Sequence, residues 1–404
     1  MPAAAAAGPQ TAAPSGGGGG NPFQLTTNLY CEKNNVGSLS GGTAAASQVA
    51  GGGQINAGQY LRGVRLVVRT QAAGGTTSPM NAVNDWPWNL LSQIDFVNVD
   101  GSEILYVMGG YAHYIAQKYT RPWLGDPALY PDAAFASSVS PQFTLFLQPE
   151  IRWSAACLAN TDTRSQYRVD FSIDTLTNIV NANGGSYSSG PAVSVQPYLD
   201  AWAQPDAEDL QGIPNQPVPP GLNLQMKRRH QIFTLNSNSD NILQSALTGN
   251  ALRAQIIVAR NGGTTRAELF TDPILWQLDN RSLGKISVNP ENTLSTTGQQ
   301  GGDMVQNWMS EMYAEYFPLL STVPTTGGSG GTHTTSWYRE AGVFVFPRFL
   351  KPGNLYGQGW LYTANSTKEI FETTTTASAS SATAELITDE VYPVGPVDPQ
   401  LTDI

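Results

Sequence analysis

Three histidines, two cysteines and a sparse set of carboxylates are the side chains in this 404-residue chain that could carry out chemistry. His113, His230 and His333 stand far apart, with no HxH or CxxC spacing around them. A structural zinc needs three or four such ligands, so neither a metal nor another cofactor is expected. The GxSxG elbow, the P-loop, the dinucleotide fingerprint and HExxH are all missing. Paired carboxylates are the one enzymatic reading with some footing. Asp170 and Asp174 would share one face of a strand about 13 Å apart, beyond the roughly 5–9.5 Å that glycoside hydrolysis requires. Asp95 and Asp100 are closer in sequence but span a turn. Trp86, Trp88, Trp123, Trp202 and Trp360 could line a sugar platform, although tryptophans in a large β protein serve more often as core or interface. No catalytic residue is assigned.

Cys31 and Cys157 cannot build a disulfide framework. One bridge between them stays open. Cys157, after Ala155 and Ala156, reads as a buried thiol, and this cysteine usage fits maturation in a reducing cytoplasm. The formal net charge is −10, with 21 Lys and Arg against 31 Asp and Glu. Affinity for nucleic acid comes largely from neutralised phosphates, so direct nucleic-acid binding is not expected. The single basic cluster, Lys227-Arg228-Arg229-His230, reads as a solvated or subunit-facing patch. Charged residues make up only 13% of the chain, and amides and hydroxyls replace them, which suits a surface covered by other proteins and equally suits many secreted β-proteins. No stretch approaches 18 consecutive apolar residues, so no transmembrane span is expected.

The elements that must position these groups are strands. In Tyr167–Asp174, Tyr167, Val169, Phe171 and Ile173 alternate with Arg168, Asp170, Ser172 and Asp174, a period of two with one dry face. The run from Gln142 to Trp153 precedes it, and the short join between them predicts an antiparallel pair. Similar alternation appears near residues 60–70, 193–198, 252–260 and 343–346. Asn261-Gly262-Gly263 predicts a hairpin. Ile104, Leu105, Met108, Tyr111 and Ile115 have roughly helical spacing, interrupted by Gly109-Gly110. The clearest predicted helix starts at Asp303 and carries Val305, Trp308, Met309, Met312 and Tyr316 up to Pro318.

Five segments follow from composition: a flexible N-terminal arm over 1–53, a first body over 54–203, a Pro-rich connection over 204–221, a second body over 222–375 and a C-terminal arm over 376–404. The predicted core or interface anchors are Trp86, Trp88, Trp123, Phe146, Tyr198, Trp308 and Trp360.

Three passages then carry a resemblance. They are Trp86-Pro87-Trp88 through Phe96 into Asp100-Gly101, the runs of 143–174 with Ala159-Asn160 between them, and Val195-Gln196-Pro197-Tyr198-Leu199-Asp200. Gly342-Val343-Phe344-Val345 and Gly359-Trp360-Leu361-Tyr362 add to them. In order and spacing the chain resembles the major capsid proteins of tectivirus-type bacteriophages, icosahedral phages with an internal membrane, whose fold recurs in adenovirus hexon. The resemblance implies a mainly β fold of two side-by-side eight-stranded jelly-roll sandwiches with a few short helices. It implies homotrimers forming pseudo-hexagonal capsomers of a virion shell assembled in the host cytoplasm. Neighbouring capsomers, penton or minor capsid proteins and internal-membrane proteins are the partners it implies. The loops near 120–141, 177–192 and 285–300 would face outward or toward other subunits. The poly-Gly/Ala start departs from the family, lacking the amphipathic character of a membrane-lying arm. A carbohydrate-binding or host-adsorption β-sandwich is the alternative, and a glycoside hydrolase comes third.

Overall fold

The computed structural model describes residues 20–34, 39–43, 49–70, 81–82, 85, 87–120, 142–151, 156–164, 166–175, 178, 180–181, 192–220, 224–262, 265–267, 269–279, 281–286, 323–324, 332–333, 342–347, 360–376 and 381–393. Two sets of eight principal strands follow one another. The first comprises β1 (Leu29–Lys33), β2 (Val49–Gln54), β3 (Tyr60–Thr70), β4 (Leu91–Val97), β5 (Glu103–Met108), β6 (Gln142–Leu147), β7 (Arg168–Ile173) and β8 (Ala192–Trp202), with helix α1 (Gly110–Thr120) after β5. The second comprises β9 (Leu224–Thr234), β10 (Asp240–Ser245), β11 (Ala251–Asn261), β12 (Phe270–Leu278), β13 (Arg281–Ile286), β14 (Val343–Pro347), β15 (Glu369–Thr375) and β16 (Thr383–Pro393).

Each set folds into two facing sheets with the same strand order. In the first, β1-β8-β3-β6 faces β2-β7-β4-β5; in the second, β9-β16-β11-β14 faces β10-β15-β12-β13. This is a jelly roll made twice, in which successive strands cross from one sheet to the other except at the central hairpins β4–β5 and β12–β13. The rolls also share a sheet. Strand β5 runs parallel to β9 at Leu105 opposite Arg228, which joins the inner sheets into one of ten strands.

Side-chain alternation explains why that sheet holds. On β11, Ala254, Ile256 and Val258 belong to the core shared with the first roll, while Ile257 and Ala259 belong to the core of the second. Val343 and Val345 against Phe344 and Phe346 on β14 divide in the same way. A strand buried on both faces must be apolar at nearly every position, which is how both runs read. Full burial of each Val, Ile or Phe among them contributes about 1.5–3 kcal/mol.

Helix α1 fills the space between the rolls and is buried almost all round, from Tyr111 to Gln117 and again at Tyr119 and Thr120. Gly109-Gly110 is its start rather than an interruption. Ile104, Leu105 and Met108 belong to the preceding strand, and a Cβ on Gly110 would run into the carbonyl oxygen of Trp88. The helix expected over 303–316 lies outside the described residues.

Three expectations are corrected. The runs at 143–153 and 167–174 are not partners: β6 pairs with β3, whereas β7 lies between β2 and β4 in the opposite sheet. Both alternate because both face one core from opposite sides. The arm expected over 1–53 contains β1, paired with β8, and β2, paired with β7. Backbone hydrogen bonds suffice to hold Gly51–Gly53 at a sheet edge, so the glycines hid a strand. The arm expected over 376–404 contains β16, which pairs along its whole length with β9 on one side and with β11 on the other. The Thr/Ala/Ser tract before it and the prolines after it hid the strand, whose charged partners on β9 lie more than a hundred residues away.

Ending the chain at residue 376 is therefore expected to abolish cooperative folding, and Ile387→Ala, at a fully buried position, to cost about 2–5 kcal/mol. Urea denaturation checks both. An unchanged transition after the truncation would mean that the segment is an appendage.

Candidate assembly anchors and the junction between the rolls

Four of the seven expected anchors are described; Trp86, Trp123 and Trp308 lie outside the described residues. Trp88, 3% exposed, stacks on Tyr114 of α1 with ring centroids 3.6 Å apart and meets Tyr111 edge-on. It therefore fastens the helix to the first roll. Phe146 is also buried, with the Arg65 guanidinium 4.5 Å from its ring centre. Tyr198 is half-buried on β8, opposite Lys33 and Arg65. Trp360 is half-buried against the shared core, with the Arg253 guanidinium 5.9 Å from its ring. The large apolar side chains that do reach solvent are others, among them Leu25, Leu29, Leu210, Ile232, Ile242 and Tyr362. No periodic signal singled them out, since each is an isolated exposed residue in a polar or alternating stretch.

Beneath Phe146 lies a buried ion network on the outer side of the first roll. Arg62 Nε donates to Glu150 at 2.6 Å, and Gln148 and Trp202 donate to the same carboxylate at 2.8 and 2.7 Å. Arg65 binds Asp200 through Nε and Nη2 at 3.1 and 2.7 Å. The N-terminal segment and the Pro-rich connection cap this end. Phe23 packs edge-on against Tyr60 within a cluster that includes Cys157, Trp202 and Val218. Asn21 donates to Asp209 and Asn215, both at 2.9 Å, and the Tyr60 hydroxyl donates to the Pro217 carbonyl. Cys31 and Cys157 are both free thiols, and burial followed by the nearby Glu150 charge raises the Cys157 pKa well above its ordinary value.

The basic cluster is not a solvated patch, and this too is a correction. Arg229 makes a bidentate pair with Glu390 at 2.8 and 3.0 Å, and both residues are buried. Arg228 is buried beside Asp389, and Lys227 lies over the Tyr392 ring. The β9–β16 register places this basic run against Asp389-Glu390, so the charges face one another inside the sheet.

The carboxylates sort differently from their sequence spacing. Asp95 and Asp170 stand directly opposite on β4 and β7, and Arg168 pairs with Asp170 at 2.6 Å. Partial burial, then the charges of Glu103 and Asp170, push Asp95 up to about 6 against the opposing pull of Arg168. At the start of α1, a cleft of about 410 Å³ opens between the rolls, with Asp85, Asp174, His230, Arg260 and Glu385 in its wall. Arg260 bridges Asp85 and Glu385 there. Among the described residues, no group of three or more His, Cys, Asp or Glu is placed to hold a metal, and no helix is long and apolar enough to cross a membrane.

Because Asp95 titrates higher folded than unfolded, the folded chain holds the extra proton between about pH 4 and 6. Its contribution to stability therefore falls as pH rises through that window and is level above it. Asp95→Asn is expected to flatten this part of the stability–pH profile and to raise the melting temperature above pH 6. Thermal melts from pH 4 to 7 check it; equal slopes in both proteins would contradict it.

No protein-family model matches the chain, and no curated protein does. Solved structures do. The STIV major capsid protein aligns at 12% identity with a TM-score of 0.53, over 93% of this chain and 100% of that one. The atomic structure of Sulfolobus Turreted Icosahedral Virus aligns at 12% identity and TM-score 0.54, over 93% of each chain. The quasi-atomic PBCV-1 virus capsid aligns at 10% identity and TM-score 0.51, over 90% of this chain and 94% of that one. At such identities the likeness is one of architecture, and it spans both rolls and the sheet between them. The chain has the double jelly-roll fold of these viral capsid proteins.

Proposed function

We propose that this chain is the major structural subunit of an icosahedral virus shell and that three copies form a pseudo-hexagonal capsomer. The observation that carries the reading is the pair of jelly rolls joined through one ten-stranded sheet, matched nearly end to end by capsid proteins of the same fold. A shell needs a subunit whose halves keep a fixed relation, because every contact is repeated by symmetry and an error in one is multiplied. The shared sheet and the buried α1 supply that rigidity. Three such subunits present six similar rolls, which supports hexagonal packing by a trimer.

Neighbouring capsomers are the first partners in this reading, followed by penton or minor capsid proteins and proteins of an internal membrane, with assembly in the host cytoplasm. Trp88 and Phe146 act inside the subunit, because their burial leaves a neighbour little to touch. Contacts between subunits fall to side chains that reach the surface, and the half-buried Tyr198 and Trp360 keep that capacity.

Native mass spectrometry or light scattering on the purified chain tests the proposal. A species near three times 43.2 kDa that persists on dilution is expected. A monomer at every concentration would contradict it.

A further inference from the structure

At the seam where the rolls meet, charge is left over. Arg228 and Arg253 are 1% and 0% exposed, and both lie beside the single carboxylate of Asp389, itself 2% exposed. Arg253 Nη1 is 3.3 Å from Asp389 Oδ2, and Arg228 Nε is 3.7 Å from Oδ1, too far for a hydrogen bond. Among the described residues, Arg228 Nε and the Nε and Nη2 of Arg253 have no acceptor, although all three are buried. Among the other buried arginines described, each meets at least one carboxylate at hydrogen-bond distance: Arg229 meets Glu390, Arg62 meets Glu150, and Arg260 meets Asp85 and Glu385.

The described surroundings do not supply the missing negative charge. Met226, whose sulfur lies 3.8 Å from Arg253 Nη1, belongs to the shared apolar core, and the Trp360 ring lies over Arg253. His113 approaches from α1 and is held neutral by burial first and by the Arg228 charge second. Arginine does not give up its proton in such a place. Two guanidiniums, one carboxylate and a neutral imidazole leave one positive charge in a region of low dielectric, where an uncompensated ion is strongly unfavourable.

The backbone is arranged to bring this about. The β11–β16 register slips between Leu252 and Ala254, which makes Arg253 the extra residue of a β-bulge. Bulges re-aim a side chain at a chosen point of a sheet. Arg228 stands opposite Leu105, at the bridge that joins the sheets of the two rolls among the described residues.

We propose that this seam binds a small monovalent anion of the halide class, held by Arg228 and Arg253 beside Asp389 and enclosed by elements of both rolls. One negative charge closes the balance, whereas a divalent oxyanion would reverse it. The anion takes the three unpartnered N–H groups as donors and ties β9 to β11 where β9 meets β5 of the first roll. It is thus a structural ligand that reports whether the rolls are docked.

Thermal melts of the full-length protein in sodium chloride, bromide or gluconate, at fixed ionic strength and pH 7, test the proposal. Halide is expected to raise the melting temperature saturably over gluconate, on the order of a few degrees. Arg253→Met, which removes the surplus charge while keeping an apolar stem, is expected to melt alike in all three salts. Equal melting of the wild-type protein in the three salts, or a halide response that survives in Arg253→Met, overturns the proposal. If Arg253→Met does not fold, anomalous diffraction from wild-type crystals grown in bromide decides. A peak within hydrogen-bond reach of both guanidiniums supports the site, and its absence from ordered density there overturns it.

Discussion

The structure depends on one constraint, a sheet that must be dry on both faces where the two rolls meet. Strands β9, β11, β14 and β16 form one wall of the second roll and at the same time close off the first roll and α1. Neither face can carry an unmatched polar group without a large desolvation cost. The apolar positions answer this by alternating between two cores, as Ile256 and Ile257 do. The charged positions answer it by pairing across strands, as Arg229 does with Glu390. Breaking such a buried pair on one side costs about 3–5 kcal/mol, far more than the intact pair contributes. These pairs therefore fix the register of the sheet more than they add to its stability.

The same constraint orders the rest of the chain. Because the inner sheet is continuous, α1 has only one place to go, and Gly110 lets its first turn close onto Trp88. The far side of the first roll has no second roll to cover it. It is covered instead by the N-terminal segment through Phe23 and by the Pro-rich connection through Val218, over the Glu150 network. The connection thus acts as a tied-down lid on the first roll as well as a link between bodies.

Much of this was legible in the sequence, and the failures share a cause. Alternation marked β3, β7, β8 and β11, and Asn261-Gly262 marked the hairpin in which Arg260 pairs with Arg266. What alternation does not give is the partner. Strands on opposite walls of a sandwich show the same period as strands side by side, so 142–147 and 168–173 looked like neighbours. The glycine-rich β2 was silent because its contribution is made by the backbone. Strand β16 was taken for a tail because the Thr/Ala/Ser tract before it is poor in apolar residues and prolines follow it, and Lys227–His230 was taken for a solvated or subunit-facing patch because its counter-charges lie far away in sequence. Each run is the other's counter-charge, and only the β9–β16 register shows it. The Asp95–Asp170 pair was hidden likewise: 75 residues separate the two in sequence (170 − 95), and one strand spacing separates them in the sheet.

The claim on which the rest stands is that both rolls form one cooperative body through the shared sheet. Differential scanning calorimetry of the intact chain tests it most directly. A single transition whose calorimetric enthalpy equals its van't Hoff enthalpy is the result this account requires. Two separated transitions, each carrying about half of the total enthalpy, would mean that the rolls fold independently and that the seam is only a contact between them.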